Sequence, residues 1–499
     1  MITRGSGILL HIANLASNFG IGHLGNPSKK FIDFLHKSHQ KYWQILPTVP
    51  TGYGDSPYQS CSSEAGNEYF IDLEDLFSNG LLTKEELDTC KTSVDSRINY
   101  ENLFQTRFNI LKIAFSRFNK SDKEFCDFVN KGDYSEYALF RSIKTAHNHK
   151  PWNEWSNEYK FRNQKALEDF KKNNENDILF WQWCQYVYAK QWKELLEYAH
   201  AHDVKIIGDI PIYVAYDSVE CWTMPKLFKL DQDLNPIVVA GCPPDCFSQT
   251  GQLWGNPIYN WNEMAKDNYS WWKERFKKNF ELFDIIRIDH FRGFDRYYQI
   301  KWGEPNAING SWESAPSEEL FVEIERDLGE LNVIAEDLGI LDDSARKMFA
   351  NLGYPGMKIL QFAFDYNSAN EYRPHNYNND NCIVYPGTHD NDTLLGYIQE
   401  LPNRNDFVNA VRNELFIMGM DLPLDSDAEI CDAIIALAFA SKARLAIISM
   451  QDWLKIDNRG RINLPSTLSI SNWSYRIPEN YSTDYVINKI KYLTIKYNR

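Results

Sequence analysis

Residues 317–339, SEELFVEIERDLGELNVIAEDLG, join a helical pattern to a short run of apolar side chains. The helical pattern covers Ser317 to Gly329, and the apolar run NVIAEDLG occupies residues 332–339. The same succession occurs twice more, at residues 190–214 and 432–454. Helices that alternate with apolar runs indicate parallel strands joined by crossover helices, since a strand buried on both faces is apolar along its length.

Eight segments of the chain have the length and apolar character of such strands. They are Ile8–Leu15, Tyr42–Val49, Lys205–Val214, Phe283–Phe291, Asn332–Gly339, Met357–Phe364, Cys382–Gly387 and Leu445–Met450. Eight parallel strands close a TIM barrel. A doubly wound open sheet is the alternative, but it usually carries a glycine-rich phosphate loop after an early strand, and none is present. The sequence therefore predicts an α/β fold of the TIM (β/α)8-barrel class.

Two long connections interrupt the barrel pattern. The interval from about 62 to 198 is mostly helical with polar faces, and the interval 216–281 is rich in Pro, Gly and Trp. Long insertions on a barrel commonly build the rim of its active site. We therefore expect residues 1–499 to form a single barrel domain, with subdomains around the active-site mouth. The insertion at 62–198 would be mostly helical, and the insertion at 216–281 would be loop-rich and cover the site.

The composition limits the partners that this chain can have. The 499 residues carry a formal net charge of −15, which disfavours nucleic acid and anionic membranes because both repel an acidic surface. Aromatic residues make up 14% of the chain, which fits either a well-packed core or flat rings that stack on sugars.

No stretch approaches the ~20 apolar residues needed to cross a bilayer, and MITRGSGILLHIANL at the N-terminus lacks a signal-peptide layout.

Nine cysteines are scattered along the chain, and an odd number cannot all form disulfides. Reduced cysteines and the missing signal-peptide layout together predict a cytoplasmic protein. Cys242 and Cys246, in GCPPDC, are the closest pair. A zinc site would need two further ligands, and none is evident nearby. We therefore expect no metal and no cofactor.

Polar residues that end the predicted strands are the candidates for chemistry, because barrel enzymes place reactive groups there. In IIRIDHF (285–291), isoleucines alternate with Arg287 and Asp289. Period-two alternation sends Arg287 and Asp289 to the barrel mouth together. A guanidinium beside a carboxylate keeps the carboxylate ionised, as a nucleophile must be at neutral pH. A purely structural Arg–Asp pair would give the same pattern.

Two further strand ends carry acidic residues. At Glu336, partial burial and nearby negative charge could keep a carboxyl group protonated, although an N-cap or surface position is the plain alternative. His389 and Asp390 follow the seventh strand in YPGTHDNDT (385–393). That carboxylate could bind sugar hydroxyls or stabilise positive charge, or both residues could be structural turn residues. A His–Asp pair for a serine nucleophile is disfavoured, because G-x-S-x-G is absent.

Taken together, carboxylates at three strand ends favour the cleavage of glycosidic bonds. That reaction requires paired carboxylates around an oxocarbenium-like transition state. Chance placement at three strand ends is much less probable than at one, so the three positions support one another.

These segments resemble the three catalytic blocks of the amylomaltases, the 4-α-glucanotransferases also called disproportionating enzymes. The three blocks are IIRIDHFRGF (285–294), VIAEDLG (333–339) and GTHDNDT (387–393). The resemblance continues to about Trp473 in other segments, namely GYGDSPYQS (52–60), YALFRSIK (137–144), PWNEW (151–155), GDIPIYVAYDS (208–218), GCPPDCFSQTGQLWGNPIYNW (241–261) and GRINLPST (460–467). The resemblance is specific because many separate motifs carry it.

The resemblance implies a role for each carboxylate. Asp289 would be the nucleophile, Glu336 the general acid/base and Asp390 the stabiliser of the transition state. Arg287 and His389 would orient the nucleophile and the bound sugar. The donor site would be lined by Ser56, Tyr58, Asp209, His290, Asp365 and Asn463.

Three positions concern the outer parts of the site. Trp254 would stack on a sugar on the acceptor side, and Tyr53 matches a position linked to a second, more distant glucan-binding groove. Cys246 is a departure, because much of the family has an aromatic residue there. Cysteine is smaller and cannot stack, so this departure concerns chain-length preference and loop mobility rather than catalysis.

The resemblance implies transfer of α-1,4-glucan segments between malto-oligosaccharides or starch. The reaction would be a retaining double displacement through a covalent glucosyl–Asp289 intermediate. The partners would be a glucan donor and a sugar acceptor. An α-amylase-like hydrolase with the same carboxylates is the first alternative, although its usual C-terminal β-domain is not visible. A catalytically inactive glucan-binding protein is the second, and the presence of all three carboxylates argues against it.

Overall fold

Within the part of the chain that the structure describes, twelve strands form two sheets. The computed structural model describes residues 2–94, 97–244, 248–339 and 341–499, and all twelve lie within them. They are β1 (Gly5–Leu9), β2 (Tyr42–Gln44), β3 (Lys205–Ile210), β4 (Val238–Cys242), β5 (Gln252–Pro257), β6 (Ile285–Ile288), β7 (Arg296–Lys301), β8 (Gly310–Ser314), β9 (Val333–Ala335), β10 (Gly356–Ile359), β11 (Cys382–Tyr385) and β12 (Leu445–Ser449).

Eight of these strands form a parallel sheet that is nearly closed into a barrel. Its strands pair in the order β10–β11–β12–β1–β2–β3–β6–β9, so each strand lies beside the next one along the chain. A backbone hydrogen bond of 3.0 Å from Ala335 N to Pro355 O joins the two end strands. Met357 N adds a second link by donating to Asp337 Oδ1 at 2.7 Å. The predicted TIM barrel is confirmed, and the doubly wound open sheet is wrong.

Helices surround the barrel and fill the connections between its strands. They are α1 (Asn26–Lys37), α2 (Leu73–Ser78), α3 (Lys84–Thr89), α4 (Tyr100–Arg117), α5 (Lys123–Lys131), α6 (Ser135–Ala146), α7 (Asn157–Lys160), α8 (Gln164–Asn173), α9 (Glu175–Ala201), α10 (Val219–Thr223), α11 (Trp261–Ala265), α12 (Ser270–Leu282), α13 (Glu318–Leu328), α14 (Asp343–Leu352), α15 (Leu394–Glu400), α16 (Arg404–Ile417), α17 (Asp427–Ala440), α18 (Met450–Trp453) and α19 (Asp484–Lys496). Within the described residues, no helix combines the length and apolar character needed to cross a membrane.

Each predicted barrel strand is present, but several end earlier than their apolar runs. The run at 205–214 stops being a strand after Ile210. The next residue is Pro211, which has no N–H to donate to a neighbouring strand. The run at 8–15 lies in β1 only up to Leu9, and Ile12–Asn14 instead form a short 3-10 turn. The carboxyl ends of β1 and β3 therefore lie earlier in the chain than the ends of their apolar runs.

The remaining four strands form a separate antiparallel sheet beside the barrel mouth, in the order β5–β4–β7–β8. Strands β4 and β5 belong to the segment 216–281, which the sequence predicted as loop-rich, and β7 and β8 follow the barrel strand β6. Two connections of the barrel thus combine into one subdomain. The segment 62–198 contains the helices α2 to α8 and most of α9.

Arg499 ties the last turn of the chain to the barrel. Its buried guanidinium donates to Phe439 O at 2.9 Å and Ser441 O at 2.9 Å, which are carbonyls at the end of α17. It also donates to Ala443 O at 2.7 Å, just before β12. Carbonyls at a helix end have no partner within the helix, so one side chain satisfies several groups that would otherwise be buried unpaired.

We expect Arg499→Met to destabilise the protein by about 2–4 kcal/mol, because buried carbonyls would lose charge-assisted hydrogen bonds. The midpoint of thermal unfolding, followed by circular dichroism, should fall by several degrees. Arg459→Met is the matched control, since the Arg459 side chain is 87% exposed and pairs with Asp457 on the surface. Equal midpoints for the two variants would contradict this account of Arg499.

Candidate active site

A buried guanidinium joins two carboxylates at the carboxyl ends of β3 and β6. The strand register places Asp209 directly beside Arg287. Arg287 Nη1 donates to the two carboxylate oxygens of Asp209 at 2.8 and 2.7 Å, and Arg287 Nη2 donates to Asp289 Oδ1 at 3.0 Å. Arg287 and Asp289 therefore point to the same side, as the alternation of their strand predicted.

The two carboxylates that share Arg287 differ in their access to solvent. The side chain of Asp209 is 0% exposed, whereas that of Asp289 is 29% exposed. Among the described residues, Asp289 Oδ2 accepts no hydrogen bond, so one oxygen of this carboxylate remains available to a ligand. This difference favours a reactive role for Asp289 over a purely structural Arg–Asp pair.

Glu336 follows β9 and lies beside Asp289. Its Oε2 accepts a hydrogen bond of 2.6 Å from His290 N, and its Oε1 accepts one of 2.9 Å from Leu338 N. Burial and the negative charge of Asp289 raise the pKa of Glu336 to about 8, against the effects of Arg287 and of the two N–H donors. At neutral pH Glu336 is therefore mostly protonated and can act as an acid.

The backbone of His290 makes part of this arrangement possible. His290 is in the left-handed region, with φ 50° and ψ 49°. This conformation is uncommon for a residue with a side chain, and such residues concentrate at functional sites. It lets the N–H reach Glu336, while the buried imidazole Nε2 has no hydrogen-bond partner among the described residues.

Tyr58 connects this group to the loop that follows β11. Its hydroxyl donates to Asp209 Oδ2 at 2.7 Å and lies 3.0 Å from His389 Nε2. The two rings are nearly parallel, with centroids 5.4 Å apart. His389 Nε2 also lies 3.3 Å from Asp390 Oδ2. A proton on Nε2 satisfies both contacts, so polar contacts run without a gap from Asp289 to Asp390.

Asp390 is held at its other oxygen by the C-terminal segment. Asn463 Nδ2 donates to Asp390 Oδ1 at 2.6 Å. The Asp390 side chain is 39% exposed, more than the 29% of Asp289. The structure thus brings Asp289, Glu336 and Asp390 to one mouth of the barrel, each with different partners.

Trp254 lies on β5 and reaches the barrel mouth from the antiparallel sheet. Its ring meets that of His290 edge to face, with centroids 4.9 Å apart, and Trp254 Nε1 donates to Gln252 Oε1 at 3.1 Å. Gln59 Nε2 donates to the Trp254 carbonyl at 3.2 Å and to Asn256 Oδ1 at 2.9 Å. Side chains from two connections therefore hold Trp254 in place. Its indole contacts His290, the residue that follows the candidate nucleophile Asp289.

The other predicted site residues lie at the edge of the network. Ser56 Oγ accepts a hydrogen bond of 3.2 Å from Tyr58 N. Asp365 is exposed, and its carboxylate accepts from Asn367 N at 3.0 Å. Among the described residues, no hydrogen bond joins the Asp365 carboxylate to the network. Tyr53 is 74% exposed on a turn, and Cys246 lies outside the described residues.

Three residues of the site were missed by sequence reasoning. Arg461 donates to the Asp390 carbonyl at 2.7 Å. Trp473 packs against Tyr58 and His389, with ring centroids 5.6 and 6.0 Å away. Gln59, which orients Trp254, is the third. Arg461 and Gln59 stand inside GRINLPST and GYGDSPYQS, so their place in those segments was a usable signal, whereas Trp473 carried none.

The arrangement places two carboxyl groups with different partners at the same mouth of the barrel. Asp289 is paired with a guanidinium, while burial and the charge of Asp289 raise the pKa of Glu336 to about 8. A nucleophilic carboxylate beside an acid is what cleavage of a glycosidic bond requires. In the described part of the chain, no group of three or more His, Cys, Asp and Glu side chains could hold a metal ion.

Comparisons with known proteins agree along nearly the whole chain. Residues 10–482 match the family model described as 4-alpha-glucanotransferase. The chain is 43% identical over 496 residues to the 4-alpha-glucanotransferase of Clostridium butyricum, covering 98% of this chain and 100% of that protein. It is 40% identical over 485 residues to the 4-alpha-glucanotransferase of Thermus thermophilus, covering 95% of each.

The fold of a solved structure is also similar to that of this protein along nearly the whole chain. The amylomaltase of Streptococcus agalactiae, determined in complex with acarbose, has a TM-score of 0.93 to this protein and is 38% identical, covering 99% of both chains. The family resemblance predicted from the sequence is confirmed, and so is the class of enzyme. This chain belongs to the 4-alpha-glucanotransferase (amylomaltase) family, glycoside hydrolase family 77.

Proposed function

We propose that this 4-alpha-glucanotransferase moves segments of α-1,4-glucan from a donor malto-oligosaccharide or starch chain to a sugar acceptor by a retaining double displacement. One arrangement carries the mechanism, namely that Asp289 is paired with Arg287 while burial and the charge of Asp289 raise the pKa of the neighbouring Glu336 to about 8. Family membership supports the substrate class.

In the first displacement, Asp289 Oδ2 attacks the anomeric carbon of the donor. The glycosidic bond breaks, and Glu336 gives its proton to the departing oxygen. Arg287 holds the other oxygen of Asp289, so the attacking oxygen is oriented before the substrate arrives. The products of this step are a glucosyl ester on Asp289 and a shortened chain, which leaves.

The second displacement uses Glu336 as a base. Once Asp289 is esterified, its negative charge is gone, and that charge is one of the two causes that raise the pKa of Glu336. The pKa of Glu336 therefore falls in the intermediate, and the glutamate can take a proton from the O4 hydroxyl of the acceptor. The acceptor oxygen then attacks the ester, so the configuration at the anomeric carbon is restored.

Asp390 stabilises the oxocarbenium-like transition states through its negative charge. His389 and Asn463 hold its two oxygens, and Tyr58 keeps the imidazole of His389 in place. The His290 imidazole lies against Trp254 and next to the nucleophile in the chain, and its buried Nε2 has no hydrogen-bond partner among the described residues. These residues, together with Ser56, Asp209 and Asp365, form the donor site in this proposal.

Transfer requires a sugar hydroxyl to react in preference to water, which is far more concentrated. Trp254 offers a flat ring next to His290 on which an acceptor sugar can stack. An acceptor bound there covers the ester and excludes water. Trp254 is thus the residue that we expect to set the ratio of transfer to hydrolysis.

We expect Asp289→Asn to lower kcat for maltotriose by more than about 10³-fold, because an amide cannot form the ester. Initial rates of glucose release measure this loss. Asp457→Asn, which changes a surface aspartate that pairs with Arg459, should keep the wild-type rate. Full activity of the Asp289→Asn variant would refute the assignment of the nucleophile.

We expect kcat/KM for the donor to fall as the pH rises through about 8, because Glu336 loses there the proton that the leaving oxygen needs. Glu336→Gln should lower kcat/KM for maltotriose by about 10²–10⁴-fold. α-Glucosyl fluoride releases its fluoride without help from an acid. With this donor, Glu336→Gln should form the ester, and the rate of ester formation should show no fall near pH 8. If the rate with Glu336→Gln still fell at this pH, the fall would be due to the titration of another group.

We expect maltotriose alone to yield glucose and oligosaccharides longer than maltotriose, separable by anion-exchange chromatography. Trp254→Ala should shift products from transfer to hydrolysis by about 2–13-fold, taking the ~0.5–1.5 kcal/mol of a stacked aromatic pair as the guide. Trp302→Ala is the control, because Trp302 is an exposed tryptophan that follows β7, outside this network. Loss of glycosidic bonds without any elongation in the wild type would instead support the amylase-like hydrolase.

A further inference from the structure

Arg461 lies behind Asp390 and contacts both chain segments that hold this carboxylate. Arg461 Nη2 donates to the Asp390 carbonyl at 2.7 Å, and Arg461 Nε donates to the Asn463 carbonyl at 2.8 Å. Arg461 Nη1 donates to Asp392 Oδ1. One guanidinium therefore joins the loop after β11 to the segment 460–473, using three acceptors that lie in different directions.

The contacts of Asn463 show why this junction matters for Asp390. Asn463 N donates to the His389 carbonyl at 3.1 Å. Its carbonyl is held by Arg461, so both peptide groups that flank its side chain are fixed. The side-chain amide is then aimed at Asp390 Oδ1, at 2.6 Å. Arg461 thus acts on Asp390 twice, directly at its backbone and indirectly through Asn463.

Asp390 needs such support because burial does not orient it. Its side chain is 39% exposed, whereas that of His389 is 4% exposed. A half-open aspartate can rotate toward water unless its backbone and its hydrogen-bond partners are fixed. Arg461 and Asp392 are 21% and 27% exposed, so their ion pair is partly shielded from solvent and holds its geometry better than a surface pair.

We propose that Arg461 is a positioning residue for the transfer reaction, which sets the orientation of the Asp390 carboxylate through the Asp390 backbone and Asn463. This inference rests on the proposed function, in which Asp390 stabilises the transition state. A stabilising carboxylate must be placed within about 0.5 Å of its productive position. Because its charge is needed most in the transition state, misplacement lowers kcat far more than it changes KM.

The chemistry of the contacts requires arginine at this position. Nη1, Nη2 and Nε each serve a different acceptor, and a planar guanidinium presents these donors in a fixed arrangement. Lysine would keep the positive charge near Asp392 but could reach only part of this set. Methionine would keep much of the aliphatic volume and lose every donor. The two substitutions therefore separate charge from geometry.

Arg97 provides a matched control, because it contacts the same segment that contains Arg461. It donates to Arg459 O at 2.8 Å, to Ser471 O at 3.3 Å and to Ser474 Oγ at 3.3 Å. Like Arg461 it makes three hydrogen bonds, and all three acceptors lie within the segment 460–473 or directly beside it. None of these hydrogen bonds reaches Asp390 or Asn463.

Steady-state kinetics on maltotriose test the inference. We expect Arg461→Met to lower kcat by about 10–100-fold with KM within about threefold of wild type. Arg461→Lys should lie between Arg461→Met and wild type, and Arg97→Met should keep the wild-type kcat. Wild-type kcat in Arg461→Met, or an equal loss in Arg97→Met, would overturn the inference.

A double-mutant cycle separates positioning from general loss of structure. Asp390→Asn, alone and combined with each Arg461 variant, is assayed with α-glucosyl fluoride as an activated donor. If Arg461 acts through Asp390, its substitution should change the rate by less than about threefold in the Asp390→Asn background. The same fold-loss in both backgrounds would show that Arg461 acts otherwise and would overturn the inference.

The cycle also distinguishes this inference from the mechanism on which it rests. Full activity of Asp390→Asn alone would refute the proposed role of Asp390, whatever the Arg461 variants do. Impaired Asp390→Asn with an unimpaired Arg461→Met would overturn only the role of Arg461. Thermal midpoints verify folding, and if Arg461→Met does not fold, Arg461→Lys carries the same comparison in both backgrounds.

Discussion

The site depends on one buried positive charge, the guanidinium of Arg287. Arg287 is 4% exposed and contacts Asp209 and Asp289 together. A buried charge is costly unless it is paired, and loss of one partner leaves the other uncompensated. The guanidinium lies between these two carboxyl groups, and Asp289 is the more exposed of the two. Barrel stability and the orientation of Asp289, the proposed nucleophile, are therefore linked through the same side chain.

This constraint explains how two neighbouring carboxyl groups come to differ. Asp289 has the guanidinium as its partner, whereas Glu336 has two backbone N–H donors and the negative charge of Asp289 beside it. Burial and that charge raise the pKa of Glu336 to about 8. Esterification of Asp289 would remove the charge and lower this pKa. One pair of residues can thus supply an acid in one step and a base in the next.

The barrel and its strand-end carboxylates were predictable because each depends on local geometry. The antiparallel sheet beside the mouth was not. Its strands come from separate connections. Strand β4 has glycine and cysteine within five residues, and β5 has glycine and proline within six. Such short strands show no clear hydrophobic periodicity. They form in the folded protein because β4 pairs with β7. The supports of Trp254 and Asp390 were missed for a related reason, since Gln59 and Arg461 act through contacts with distant segments.

The sequence by itself determined that Arg287 and Asp289 face the same side, because side chains two residues apart on a strand do so in any sheet. It also determined the eight strands of the barrel and, through motifs spread along the chain, the family. Only the tertiary structure decided which groups meet Arg287 and Asp390. Asp209 reaches Arg287 through the register of β3 on β6, and Tyr58 reaches His389 across 331 residues of chain. Barrel closure sets these distances and the burial that raises the pKa of Glu336, so neither could be read from local spacing.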